Sequence, residues 1–184
     1  LFRSGTEAPS AGEIDTFTQQ APYIDPTVYC LRYATAPFEK DMQLIGESSA
    51  HIEAAIDIDD TNWMVDIIDV APDGSRFMVS SGALKAQFKA LDMEKSLPER
   101  PVHLRQDPVP VVPGEVNEYD IALLPSANVF QKGHRMEIVI RNQDDMLGKL
   151  AKNGVYLMPF MQTVTHEIHL GASSVLVPLK ERNF

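Results

Sequence analysis

Between His51 and Asp59 the chain alternates strictly. Ile52, Ala54, Ile56 and Ile58 fall on one side, and His51, Glu53, Ala55, Asp57 and Asp59 fall on the other. A period of two is the signature of a β-strand with one buried face, and no helix gathers such a set into one stripe. The same grammar runs through the rest of the chain. Trp63 to Val70 is apolar on both faces except at Asp66 and Asp69, which predicts a more central strand. Pro72-Asp73-Gly74 supplies a turn, and Arg76 to Ser80 reads as the returning strand. Thr27 to Tyr33, Glu118 to Leu124, His134 to Ile140, Val155 to Met161, Thr163 to Leu170 and Val175 to Leu179 read as further strands. Asn153-Gly154 is suited to a two-residue hairpin, and the preceding Gln143 to Lys152 is loop-like.

Three stretches break the pattern. Residues 83–95 fit either a helix or a strand running out into a loop, and the neighbouring strands favour the second. Residues 97–114 contain five prolines: Pro98, Pro101, Pro108, Pro110 and Pro113. Proline has no N–H for a ladder, so this stretch is a long, semi-extended connection or an edge. The first ~25 residues are punctuated by Ser4-Gly5, Pro9 to Gly12 and Pro22, with no strand or helix period, and read as a lead-in segment. Disorder, a link to something upstream and packing along a larger surface remain open for it. The division is therefore residues 1–26 as lead-in and 27–184 as one domain. With roughly eight to ten short strands and no convincing long helix, the fold class is all-β, a sandwich or barrel.

Composition narrows the function. A 184-residue chain buries roughly 70% of its unfolded surface and needs neither disulfide nor structural metal to hold a core. One cysteine excludes an intramolecular disulfide framework and a Cys-rich zinc site. Sixteen basic against 26 acidic residues give a net charge of −10, which disfavours nucleic acid and anionic membrane surfaces as partners. No apolar run approaches the ~18 residues of a membrane-crossing helix. Leu1 is not Met and no signal-peptide pattern follows, so the chain reads as a fragment or processed product. The single cysteine slightly favours a cytoplasmic home without fixing the compartment.

The candidate chemistry is thin. Gly46-Glu47-Ser48-Ser49-Ala50 and Gly171-Ala172-Ser173-Ser174-Val175 each lack the second glycine of a nucleophile elbow and read as turn serines. Cys30, inside Val28-Tyr29-Cys30-Leu31, reads as a buried small hydrophobe. His166 and His169 lie three apart on a predicted strand and so point to opposite faces, which argues against one shared metal. Asp57, Asp59 and Asp60 with Thr61 and Asn62 offer oxygen ligands, but without the glycine and glutamate of an EF-hand they read as a solvated acidic loop. His134 reads as a structural hydrogen-bonding residue at a strand mouth, and Trp63 as core rather than a sugar platform. No catalytic residue, metal ligand or cofactor is assigned, and the substrate-binding residues are unknown from sequence.

Several segments, taken in order, resemble the C-terminal domain of the Xaa-Pro dipeptidyl-peptidase and cocaine-esterase-like (CocE/NonD) serine hydrolases. They are Leu44-Ile45-Gly46; His51 to Asp59; Asp60-Thr61-Asn62-Trp63; and Val65 to Gly74, ending "D-V-x-P-D-G". Pro113-Gly114-Glu115 with Tyr119 to Ser126 follows, then Phe130-Gln131-Lys132-Gly133-His134-Arg135 ("F-x-x-G-H-R") and the closing Ser173 to Leu179. The resemblance covers about residues 27–180, and Arg3 to Pro26 is similar to the family's exit from its hydrolase domain. Asn62 stands where the family often has a second Asp, and Ala172-Ser173 replaces Pro-Ser. Asp25-Pro26 runs almost directly into the following strand, where many relatives carry a longer Pro/Gly-rich stretch.

The resemblance implies a jelly-roll β-sandwich of the galactose-binding-like type that packs on an α/β-hydrolase domain and leaves the Ser-Asp-His triad to that domain. The expectation is a non-catalytic accessory domain that shapes substrate access, its partner being the parent's α/β-hydrolase domain, with homo-oligomerisation left open. The parent is expected to be a serine hydrolase acting on an ester, an amide or an Xaa-Pro peptide. A free-standing carbohydrate-binding module and a purely structural oligomerisation domain are the competing expectations.

Overall fold

The computed structural model describes residues 12–104, 107–144 and 160–182. Two antiparallel sheets enclose the core, the β-sandwich that the period-two pattern implies. The larger sheet is organised around β3 (Met42–Ile56), the longest strand. Along one edge β3 pairs with β6 (Asn117–Phe130) over nearly its full length. Its other edge is served in turn by three short partners: β10 (Leu179–Glu181), β9 (Ser174–Leu176) and β8 (Val164–His169). Beyond β8 lies β1 (Ile14–Gln19). The smaller sheet runs β2 (Leu31–Ala34), β7 (Arg135–Arg141), β4 (Asn62–Val70), β5 (Arg76–Lys85).

The even residues of β3, Leu44, Ala50, Ile52, Ala54 and Ile56, face the core, where they meet Trp63, Val65 and Ile67 of β4 and Ile138 and Ile140 of β7. On β6 the buried set begins on odd positions, Tyr119, Ile121 and Leu123, and ends on an even one, Phe130. The phase changes because the register slips by one residue: Leu123 pairs with Ser48 and Ser126 with Gly46, so Leu124 and Pro125 together face Glu47. A bulge is where a strand can accept a proline. Opposite it, Gly46 sits at φ +129° with the Pro178 ring against it, 3.4 Å from where a Cβ would stand.

Where β5 runs beside β6, the two sheets meet edge to edge. The Ser80 hydroxyl donates to the Leu124 carbonyl at 2.6 Å. At Gly82 a Cβ would lie 2.2 Å from the Ala122 carbonyl oxygen, a backbone atom of β6 that cannot swing aside as a flexible side chain would. Gly82→Ala is therefore expected to cost about 3 kcal/mol, the upper range for overpacking. A urea melt checks this, and a midpoint within error of the parent chain would show that the seam yields.

The structure corrects several expectations. Residues 14–19, within the segment read as having no strand period, form β1 and belong to the larger sheet. The strand expected over Thr27 to Tyr33 starts only at Leu31. Cys30 lies outside it and is half-buried rather than buried. Gly46 to Ala50 is strand, not turn, and β6 continues through Pro125 to Phe130. As expected, 83–95 is strand running into loop, with a single 3₁₀ turn at Ala86–Phe88. Among its described residues the Pro-rich connection holds only isolated bridges, Leu97 to Arg100 and His103 back to Leu91. The hairpin expected at Asn153-Gly154 lies outside the described residues, as does the run expected from Val155 except for Phe160 and Met161, which are not strand.

Candidate functional site

The residues with chemical capacity gather where β3 ends and β4 begins. Asp57 Oδ1 accepts the Thr165 N–H at 2.8 Å, closing the acidic loop onto β8. The Asp59 carbonyl accepts the Val111 N–H at 3.0 Å. Asp60 is buried, with its carboxylate bonded to Lys85 Nζ and to the Gln87 N–H at 3.3 Å. The Asp57 and Asp60 carboxylates are turned to different neighbours. Among the described residues no group of three His, Cys, Asp or Glu side chains converges as metal ligands would. This loop was expected to be a solvated acidic loop, but Asp60 and Thr61 are buried.

Beneath the loop lies a buried polar cluster. The Thr61 hydroxyl is 2.8 Å from His166 Nε2, and Asn142 Nδ2 donates to the same hydroxyl at 3.4 Å. The His166 ring stacks on Phe17, centroids 4.3 Å apart, and meets the Trp63 ring edge at 5.0 Å. Burial pushes the His166 pKa down to about 3, against weaker opposing contributions from the Phe17 backbone and Asp57. Burial also lifts the Tyr119 phenol, packed on Trp63, to about 12. Both groups are neutral at physiological pH, and the His166 to Thr61 bond ties the loop to β8.

The other sequence candidates are dispersed. His166 faces the core and the partly exposed His169 lies on the alternate face of β8. Trp63 is fully buried and offers no surface to a sugar. His134 Nδ1 lies 2.7 Å from Asp69 Oδ1, and Asn128 donates to the other carboxylate oxygen at 3.0 Å, a structural role. Ser48 and Ser49 are buried in β3, where Ser49 donates to the Pro98 carbonyl at 2.6 Å. Ser173 accepts the Glu53 N–H at 3.0 Å and Ser174 opens β9. The four serines therefore stand in strand and turn positions.

Sequence reasoning missed the strongest electrostatic feature. Arg141 Nε donates to Asp66 Oδ2 at 2.8 Å and Nη2 to Oδ1 at 3.3 Å; Nη1 reaches the Gln143 carbonyl at 2.7 Å and Asp144 Oδ1 at 2.9 Å. The pair is 3% and 0% exposed. Burial opposes the guanidinium charge, but the bonds to Asp66 and Asp144 outweigh it and raise the Arg141 pKa above its ordinary value. The available signal was Asp66, one of the two aspartates that interrupt the apolar run of β4.

A family model described as the X-Pro dipeptidyl-peptidase C-terminal non-catalytic domain matches residues 2–172. A putative serine esterase of Mycobacterium bovis is 28% identical over 124 residues, covering 62% of this chain and 19% of its own. Cocaine esterase of a Rhodococcus species is 24% identical over 193 residues, covering 99% of this chain and 29% of its own. Among solved structures, a CocE/NonD family hydrolase of Staphylococcus aureus superposes with a TM-score of 0.75 at 20% identity, over 94% of this chain and 34% of that one. An α-amino acid ester hydrolase superposes with a TM-score of 0.67 at 17% identity, over 95% and 34%. The chain thus spans between 19% and 34% of the length of these relatives.

Proposed function

Because the chain belongs to the family of X-Pro dipeptidyl-peptidase C-terminal non-catalytic domains, we propose that it serves as the accessory β-sandwich of a larger serine hydrolase. In this reading it packs on an α/β-hydrolase domain and shapes access to that domain's active site, with the residues ahead of Ile14 forming the connection. The parent cleaves an acyl bond, in an ester, an amide or an Xaa-Pro peptide. Its nucleophilic serine, histidine base and oxyanion hole lie outside these 184 residues. The observation that carries the reading is the match of residues 2–172 to a non-catalytic domain, in relatives whose chains are several times longer.

The test is to react the full-length protein with a fluorophosphonate probe and locate the modified serine by mass spectrometry. The expected label sits outside this chain. A stoichiometric label on Ser48, Ser49, Ser173 or Ser174 would overturn the proposal.

A further inference from the structure

Resting on that reading, we propose that one end of the sandwich, built from residues 20–29, 57–61, 107–116 and 160–163, is the face that docks on the catalytic domain of the same polypeptide. Hydrogen bonds tie these loops together. The Ala21 N–H reaches the Thr163 hydroxyl at 3.4 Å, and the Asp57 N–H reaches the Thr165 carbonyl at 3.3 Å. The Gly114 N–H reaches the Ile56 carbonyl at 2.8 Å, beside the Asp59 to Val111 bond.

On this framework Tyr23, Ile24, Val109, Val112 and Met161 are each between 54% and 73% exposed. Loops that face water are ordinarily polar, and large apolar side chains gathered at one place mark a contact surface. Val109 and Val112 are interleaved with Pro108, Pro110 and Pro113, whose fixed φ leaves less freedom to lose on association.

The outer face of the larger sheet is a poorer candidate. Glu53 and Glu118 stand directly opposite one another in register there, an unfavourable pairing unless neutralised. The connection after β5 already covers part of it, through the Ser49 to Pro98 bond and His103 Nε2 at 2.8 Å from the Asp120 carbonyl oxygen. Ile45, Leu124 and Leu176 are exposed on that face, but Glu47 stands among them with Arg100 at 3.7 Å. The occupant of the loop end is argued from length. The match leaves about two-thirds or more of each relative's chain uncovered, a length sufficient for a catalytic domain in the same polypeptide.

Hydroxyl-radical footprinting of the full-length protein tests this directly. Tyr23 and Met161 report on the loop end, and Phe77 and Met93, which are 64% and 79% exposed, report on other surfaces. The expected result is several-fold slower oxidation of Tyr23 and Met161 than of Phe77 and Met93. Slow oxidation of Phe77 and Met93 with fast Tyr23 and Met161 would overturn the assignment of the face and leave the accessory-domain reading intact. Fast oxidation of all four would overturn both.

Discussion

Asp66→Ala is expected to lower the folding stability of the domain by about 3–5 kcal/mol, the cost of leaving one member of a buried ion pair without its partner. The size follows from the enclosure of Arg141. Its side chain is 3% exposed, so the guanidinium cannot turn to water when the bidentate acceptor is lost. Asp144 and the Gln143 carbonyl still engage Nη1, but Nε and Nη2 lose their acceptors. Replacing both partners with apolar residues, Asp66→Leu with Arg141→Met, is expected to recover most of the loss, because no buried charge remains at the pair. Urea melts of the two variants check this. Equal destabilisation by the single and double changes would show that the pair contributes attraction beyond its own desolvation.

The second large effect is a loss of stability in acid. The folded-state pKa of His166 is depressed to about 3 from an ordinary 6.5, so the unfolded chain binds a proton that the native chain refuses. Stability from this residue is complete above pH 6.5 and falls as pH drops towards 3. At about 1.36 kcal/mol per unit the total is on the order of 5 kcal/mol. Carboxylates titrate in the lower part of the same window, so the measurement is a comparison with His166→Phe. Phenylalanine retains a ring against Phe17 and Trp63 but cannot be protonated. At pH 7 the variant should be less stable by about 1 kcal/mol for the lost Thr61 bond. Between pH 6.5 and 5 its stability should be nearly flat where the parent chain's declines. Parallel slopes in the two chains would contradict the assignment.

The strands that were readable in the sequence are those whose buried faces are apolar. Ile52, Ala54 and Ile56 announce β3, and Trp63 to Val70 announces β4 with the Pro72-Asp73-Gly74 turn behind it. The lost strand is β1, because its core-facing residues are Asp15, Phe17 and Gln19, two of them polar. They are buried because they are satisfied. Tyr33 donates to Asp15 at 3.1 Å; Gln19 donates to the Thr27 carbonyl at 2.8 Å and accepts the Tyr29 N–H at 2.8 Å. The last two bonds also explain why Thr27 to Cys30, despite suitable residues, is not strand: its backbone is bonded to a side chain instead of a ladder. Local propensity yields when tertiary partners take the backbone groups.

The same distinction applies to the candidate site. The acidic loop was visible, but the distribution of its carboxylates among Thr165, Lys85 and Gln87 was not. The loop end was not readable either, since Tyr23, Val112 and Met161 are far apart in sequence and meet only through the ends of β1, β3 and β8. The family resemblance was readable, because motifs such as Phe130 to Arg135 and Asp69 to Gly74 are contiguous.

The most direct test of the central claim is to sequence the genomic DNA upstream of the codon for Leu1. The proposed role as a hydrolase accessory domain predicts an in-frame α/β-hydrolase coding region carrying a Gly-x-Ser-x-Gly nucleophile elbow. An initiator methionine codon immediately before Leu1, preceded by an in-frame stop, would contradict it and make ligand binding by a free-standing sandwich the question.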